Sequence, residues 1–320
     1  MKKAFITGIS GQDGSYLAEL LIDKNYEVHG LVRKLPSGEN LESFFRIKHI
    51  LTKIFLHEGD ITDESSISRI IREIKPDEIY CLAAVADPLV SPLTERNILW
   101  NNINGTYIVL CAIREYSSKT KLFFASSGLI FGNPNSSPQD ESTAKEPITP
   151  YGIAKAAGFN LVRMFREAYG IFACSGILYN HESPRRDVRF LPKKITKAAA
   201  HIKKGLQKEL RLGDIEAVRD WGFAGDYVEA MWLMLQQPNP EDYVIGTGNP
   251  HTVRDILEIA FCAVQLDWRN YVVVDPDLVR PRENLPVVAN PLKAKEKLGW
   301  RARTEFDELI KLMVLEDLSI

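Results

Sequence analysis

The chain lacks any apolar run of the roughly 18 residues a membrane-spanning helix needs, so no such helix is expected. It has no surplus of either charge: 40 Lys and Arg stand against 42 Asp and Glu, a net charge of −2. That excludes a global attraction for nucleic acid or for an anionic membrane. Cysteine is scarce. Cys81, Cys111, Cys174 and Cys262 lie far apart and form no CxxC pair. Free thiols in a reducing cytoplasm are expected, not a disulfide framework or a metal site. Repeats and low-complexity tracts are missing. The amino terminus runs straight into an apolar strand, which predicts no signal peptide. What remains is an ordinary globular balance, 45% hydrophobic and 26% charged over 320 residues. That length suits one large α/β unit or two fused lobes.

Lys3-Ala-Phe-Ile-Thr-Gly8 reads as a buried strand, and an apolar-periodic helix runs from Ser15 to Asp23. Between them stand Gly8, Gly11 and Gly14. A strand, three such glycines and a helix form a pyrophosphate cradle. The second strand, Tyr26 to Val32, is followed by Arg33 and Lys34. An acid at this place would suit the ribose 2′-hydroxyl of NAD. Two cations suit the extra phosphate of NADP(H), so NADP(H) is favoured and NAD(H) is the alternative. Further strands are expected at Ile54 to His57, Glu78 to Ala84, Leu122 to Ser127 and Phe172 to Leu178, with a helix from about Trp100 to Ser117. Alternating strands and helices predict a doubly wound parallel sheet of Rossmann type. Ligands then bind beyond the carboxyl ends of the strands, where Gly8, Asp60, Ala84 and Ser127 fall.

The stretch Gly132 to Pro150, rich in Pro, Asn and Ser, predicts a surface loop. Tyr151 and Lys155 follow it. Four residues apart on a helix, they lie one above the other. An ammonium beside a phenol favours the phenolate, so the pair can work as an acid and base near neutral pH. The alternation breaks down beyond Asn180. A dinucleotide-binding domain is expected over 1–179, with 218–246 returning to it. A smaller, mostly helical substrate-binding lobe takes 180–217 and 247–320.

Ser127, Tyr151, Lys155 and the glycine cradle together resemble the extended short-chain dehydrogenase/reductase family. Several blocks are similar to GDP-mannose 4,6-dehydratases in particular: Ile6 to Leu21, Asn180-His-Glu-Ser-Pro-Arg-Arg186, Arg219-Asp-Trp-Gly222 running to Leu235, and Arg280-Pro-Arg-Glu283. The resemblance implies Tyr151 as general acid/base, Lys155 on the nicotinamide ribose and Ser127 on the reacting oxygen. It implies that Asn102 steadies the active-site helix. The cofactor would be held by Gly8, Ser10, Gly11, Gln12, Asp13, Gly14, Arg33, Lys34, Asp60, Ile61, Leu82, Ala83, Ala84, Tyr151, Lys155, Asn180, His181 and Arg186. A GDP-sugar would be held by Asp87, Ser127, Asn180, Lys194, Arg219, Arg280 and Glu283, with Lys193 adding positive charge. No metal is implied. Homodimers or homotetramers are.

One departure bears on the reaction. The dehydratase pattern has Thr or Ser, one residue, then a catalytic Glu; here Ser127 and Gly128 are followed by Leu129. Leucine cannot transfer a proton. The expected activity is therefore an NADP(H)-dependent GDP-sugar oxidoreductase working at C4, as a 4-keto reductase or as a 4-dehydrogenase or epimerase. The alternative is a 4,6-dehydratase with another base, such as Asp87 or Glu141. A more distant one is a non-catalytic nucleotide-binding subunit.

Overall fold

Strand β1 (Lys3–Thr7) sends Ala4 and Ile6 into one apolar layer and Phe5 into another. A strand covered on both faces requires this alternation of apolar side chains. The computed structural model describes residues 1–38, 40–86, 91–279 and 285–319. In chain order, β1 leads to α1 (Gln12–Asp23), β2 (Glu27–Val32), β3 (Phe55–Glu58), α2 (Glu64–Ile74), β4 (Glu78–Cys81), α3 (Pro92–Tyr116), β5 (Lys121–Ser127), α4 (Pro150–Tyr169) and β6 (Ala173–Leu178). On α2, Ile67, Ile70, Ile71 and Ile74 recur at helical spacing and form its buried face. Asp63 starts that helix by accepting a hydrogen bond from the Ser65 N–H.

Beyond β6 come β7 (Asn180–Glu182), α5 (Leu191–Lys203), β8 (Leu210–Leu212), β9 (Val218–Phe223), α6 (Ala224–Gln236) and β10 (Tyr243–Ile245). The chain then forms β11 (Pro250–Thr252), α7 (Val253–Ala263), β12 (Val272–Val274) and α8 (Phe306–Ser319). The large sheet is parallel throughout, in the order β10-β6-β5-β4-β1-β2-β3. The order reverses between β1 and β4, so the crevice for a ligand opens above those two ends. Side chains of α1 and α6 pack on one face and those of α2, α3 and α4 on the other. This is the doubly wound α/β sheet expected from the sequence.

Boundaries shift where polar contacts outweigh periodicity. Strand β4 ends at Cys81 instead of running to Ala84. The Leu82 and Ala83 N–H groups both donate to Thr7 Oγ1, each at 3.1 Å, which takes them out of the ladder. Helix α3 starts at Pro92, well before Trp100. Ser91 caps it by accepting from the Thr94 N–H, and Pro92 has its preset φ at the first helical position. The 132–150 connection is not all surface. Gln139 is fully buried, and its Oε1 accepts from the Val288 N–H and the Tyr179 hydroxyl, both at 2.9 Å.

The second part is mixed. Strands β11, β9 and β7 form a small sheet in that order, and β8 pairs with β12. Helices α5, α7 and α8 pack around Ile195, Ile256, Phe261, Ile310 and Val314. Within 218–246, β9 belongs to the small sheet, whereas β10 lies in the large one. Lys193 supplies no free charge: it is sealed among the helices in an ion pair with Asp317 at 2.6 Å. Among the described residues no helix is long and apolar enough to cross a membrane.

The first turn of α1 ties the two sheets together. Asp13 Oδ2 lies 2.9 Å from His181 Nε2 on β7, Gln12 Nε2 donates to the His181 carbonyl, and the Ser183 hydroxyl donates to Gln12 Oε1. Burial alone would raise the Asp13 pKa, but the charge and hydrogen bond of His181 outweigh it and hold the carboxyl at about 2. Burial alone would lower His181, but Asp13 outweighs it and raises the imidazole above its ordinary 6.5. The share of stability from Asp13 is complete above its ordinary 3.8 and is lost as pH falls towards 2. The share from His181 is complete below 6.5 and is lost as pH rises through its raised value. The pair thus stabilises most strongly between those two ordinary values. Asp13→Asn should cost about 2 kcal/mol in that window by chemical denaturation. The gap from the unmodified protein should narrow on the alkaline side, and a gap independent of pH would contradict the pairing.

Candidate active site

Gly8 leaves β1 at φ +78°, a left-handed conformation that disfavours a side chain. A Cβ there would also come within 3.0 Å of the Ala83 backbone. The Gly11 N–H donates to the Gly8 carbonyl at 2.9 Å, and a Cβ on Gly14 would stand 2.3 Å from that same oxygen. The missing side chains at Gly8 and Gly14 let α1 begin this close to β1. Gly11 is the N-cap of α1 and contributes no side-chain cap, so the helix presents its amino end to the crevice.

A cavity of about 520 Å³ opens above this turn. Gly8, Ser10, Gly11, Arg33, Lys34, Asp60, Ile61, Leu82, Ala83 and Ala84 all line it. The structure thus brings together most of the residues the sequence nominates for the cofactor. Arg33 and Lys34 are exposed at its edge, and Arg33 Nε lies 3.8 Å from Asp60 Oδ2. Burial would raise the Asp60 carboxyl, but hydrogen bonds from Thr62 and the charge of Arg33 keep it low. Gln12, Asp13 and His181 are hydrogen-bonded to one another and do not line the cavity. Gly14 serves the close packing of α1. Arg186 is paired with Glu182 at 3.1 Å and stacks over Phe190. Asn180 is exposed on β7.

Asn40, Ser43, Phe44, Val85 and Asn101 also line the cavity and are not nominated by the sequence reading. The 41–53 stretch consists of single-turn helices, which leave no periodic signal. Asn102 clamps Val85 at two points, accepting from its N–H at 2.8 Å and donating to its carbonyl at 3.1 Å. Its amide therefore steadies the cavity wall.

Ser127 closes β5, and its hydroxyl accepts from the Leu129 N–H, capping the single turn Gly128–Phe131. Thr149 caps α4 by accepting from the Gly152 N–H, with Pro150 at the first helical position. A Cβ on Gly152 would stand 2.5 Å from the Leu129 carbonyl oxygen. The first turn of α4 therefore lies directly on the 128–131 turn. Lys155 is buried, 3% exposed, with Nζ donating to the Ala125 carbonyl at 2.7 Å and 5.5 Å from the centre of the Tyr151 ring. Among the described residues no carboxylate pairs with it.

On the expected substrate side, Arg219 lies on β9 and donates to the Val218 carbonyl. Lys194 donates to the Arg211 carbonyl. Asp87, Arg280 and Glu283 lie outside the described residues. Leu129 is 40% exposed on the turn that follows Ser127. Glu141 accepts from the Val244 N–H at 2.7 Å and so serves the β10 edge, two strands away from Ser127.

A family model described as GDP-mannose 4,6 dehydratase matches residues 5–313. The chain is 44% identical over 330 residues to GDP-mannose 4,6 dehydratase 1 of Arabidopsis thaliana, covering 100% of this chain and 90% of that protein. It is 41% identical over 341 residues to GDP-mannose 4,6 dehydratase of Homo sapiens, covering 99% and 91%. Among solved structures, UDP-glucose 4-epimerase of Thermus thermophilus in complex with NAD is similar at a TM-score of 0.84 and 28% identity, covering 98% of each chain. The cradle, the Ser127, Tyr151 and Lys155 cluster and these matches agree: the chain belongs to the GDP-mannose 4,6-dehydratase family, extended short-chain dehydrogenase/reductases that work on nucleotide sugars.

Proposed function

We propose that this chain exchanges hydride at C4 of a GDP-hexose. The observation that carries the reading is the buried Lys155 ammonium beside Tyr151, on a helix start packed against the end of the Ser127 strand. A nicotinamide nucleotide, when bound, supplies or accepts the hydride. The side-chain-free turn at Gly8, Gly11 and Gly14 and the cavity above it fit its diphosphate and adenosine. Arg33 and Lys34 favour NADP(H), with NAD(H) as the alternative. Tyr151 Oη takes the proton of the C4 hydroxyl during oxidation and returns it during reduction. Lys155 reaches for the nicotinamide ribose. Ser127 Oγ donates to the oxygen on C4. Residues 1–179 and 218–246 would serve the cofactor, and 180–217 and 247–320 the GDP-sugar. The family resemblance supports a homodimer or homotetramer in the cytoplasm.

Two continuations share this step. The names of the relatives favour the first, a 4,6-dehydratase, over a reductase confined to C4. There the C4 carbonyl acidifies the C5 proton, a base removes it, an acid protonates the departing C6 oxygen as water, and the hydride taken from C4 is returned to C6 as C5 is reprotonated, so that the net change is the loss of one water. Leu129 favours the second, in which exchange at C4 stands alone as reduction, dehydrogenation or epimerisation. A leucine next to Ser127 can neither take the C5 proton nor deliver one to O6.

Chromatographic separation and mass analysis of the products from GDP-mannose, and from its 4-keto-6-deoxy derivative, decide between them. Loss of one water from GDP-mannose establishes the dehydratase. A change of two hydrogens, or an epimer of unchanged mass, establishes exchange alone. No conversion of either sugar with either nicotinamide nucleotide overturns the proposal. Tyr151→Phe keeps the ring and removes the proton, so turnover should fall about a hundredfold or more. Cofactor binding, read by NADPH fluorescence, should persist in that variant, and undiminished turnover would reject the assignment. The unmodified protein should prefer NADPH to NADH by about ten- to a hundredfold, and replacing Arg33 and Lys34 by Ala should erase the difference. Equal affinities before the replacement would show that the two cations are merely solvated.

A further inference from the structure

Arg46 lies in the β2–β3 connection, two residues after the cavity-lining Phe44. Its guanidinium is half-buried and reaches two distant backbone segments. Nε donates to the Arg185 carbonyl at 2.7 Å, and the Nη1 group donates to the Ser10 carbonyl at 3.5 Å. The ring of Phe45 stacks beneath it, 4.3 Å from the guanidinium carbon. Ser10 belongs to the glycine turn. Arg185 belongs to the segment that leads from β7 into α5, and it is itself held on α1 by Glu19 and by the Ser15 hydroxyl. One planar fork thus joins the cavity wall, the glycine turn and the entrance to the second lobe. Each of the two peptides is also held from its N–H side, Gly11 on the Gly8 carbonyl at 2.9 Å and Arg186 on the Ser183 carbonyl at 3.0 Å, so Arg46 adds the contact that links them.

We infer that Arg46 is a positioning residue. It sets the glycine turn for the cofactor diphosphate and couples that turn to the 183–187 segment. The inference rests on the reading that the cavity takes a nicotinamide nucleotide. Arg46 touches no reacting atom, so its loss acts on binding and not on the chemical step. Its geometry also explains the residue type, because an ammonium cannot span two carbonyls with a rigid fork.

The test compares Arg46→Gln and Arg46→Lys with the unmodified protein. NADPH affinity is read by fluorescence, and kcat is read at saturating cofactor. Arg46→Gln should weaken NADPH binding about tenfold, because the bond from a charged donor is lost. Its kcat should stay within about twofold, the split that marks lost uniform binding. Arg46→Lys should fail to restore the affinity. Full rescue by Lys would mean that only the charge matters, and unchanged affinity in a folded Gln variant would mean a purely structural role. Either result overturns the inference. A measurement on the unmodified protein covers the case in which neither variant folds. NADPH should slow amide exchange at 183–187 as well as at 8–14, and protection confined to 8–14 also overturns it. Failure of the unmodified protein to bind any nicotinamide nucleotide is a different outcome: it removes the cofactor reading and the inference with it.

Discussion

The close approach of β1 to β4 at their carboxyl ends constrains everything built above them. Thr7 Oγ1 takes two N–H groups from the exit of β4, and Gly8 then turns within 3.0 Å of that exit, measured from where its Cβ would stand. Neither strand can lengthen, so the crevice stays open at the reversal of strand order. Helix α1 must start beside Gly8, which brings Asp13 up to His181 and so fixes β7. Strand β7 carries the small sheet, and β9 in that sheet carries Arg219. Placement of the second lobe thus follows from a hydroxyl and a missing side chain at the end of the first strand.

The protein buries two lysines and treats them differently. Lys193 meets Asp317, so its charge is cancelled locally, and Thr196 also donates to that carboxylate. Among the described residues Lys155 meets a carbonyl and two aromatic rings, those of Phe124 and Tyr151, and no carboxylate. Burying a cation without an anion is costly. The Lys155 Nζ lies 5.5 Å from the centre of the Tyr151 ring. The contrast separates a lysine that holds helices together from one that serves chemistry, although both are equally hidden from solvent.

Much of this was legible in the sequence because backbone geometry demanded particular residues. Gly8 and Gly14 stand where a side chain would collide, and Tyr151 and Lys155 stand one helical turn apart. The parallel sheet was legible from alternating apolar runs. Other features depend on partners distant in the chain and leave no local trace. Lys193 reads as surface charge until α8 closes over it. Glu141 reads as a candidate base until its carboxylate is found holding β10. Strand β10 has three residues, too few for a pattern. The wall around Asn40 to Phe44 is made of single turns, and the task of Arg46 becomes visible only when Ser10 and Arg185 are seen beside it.

Asp317 lies in the last turn of α8, yet it neutralises a charge at the start of α5. Removal of the residues of α8 from Asp317 onward would take away the partner of the Lys193 ammonium. It would strand an ammonium in an apolar core, and the cost would be felt throughout the lobe and not only at a frayed tip. Affinity tags and fusion partners are therefore better joined through a spacer after the final helix than in place of its last turn. Limited digestion that reached Asp317 would be expected to release the three helices together.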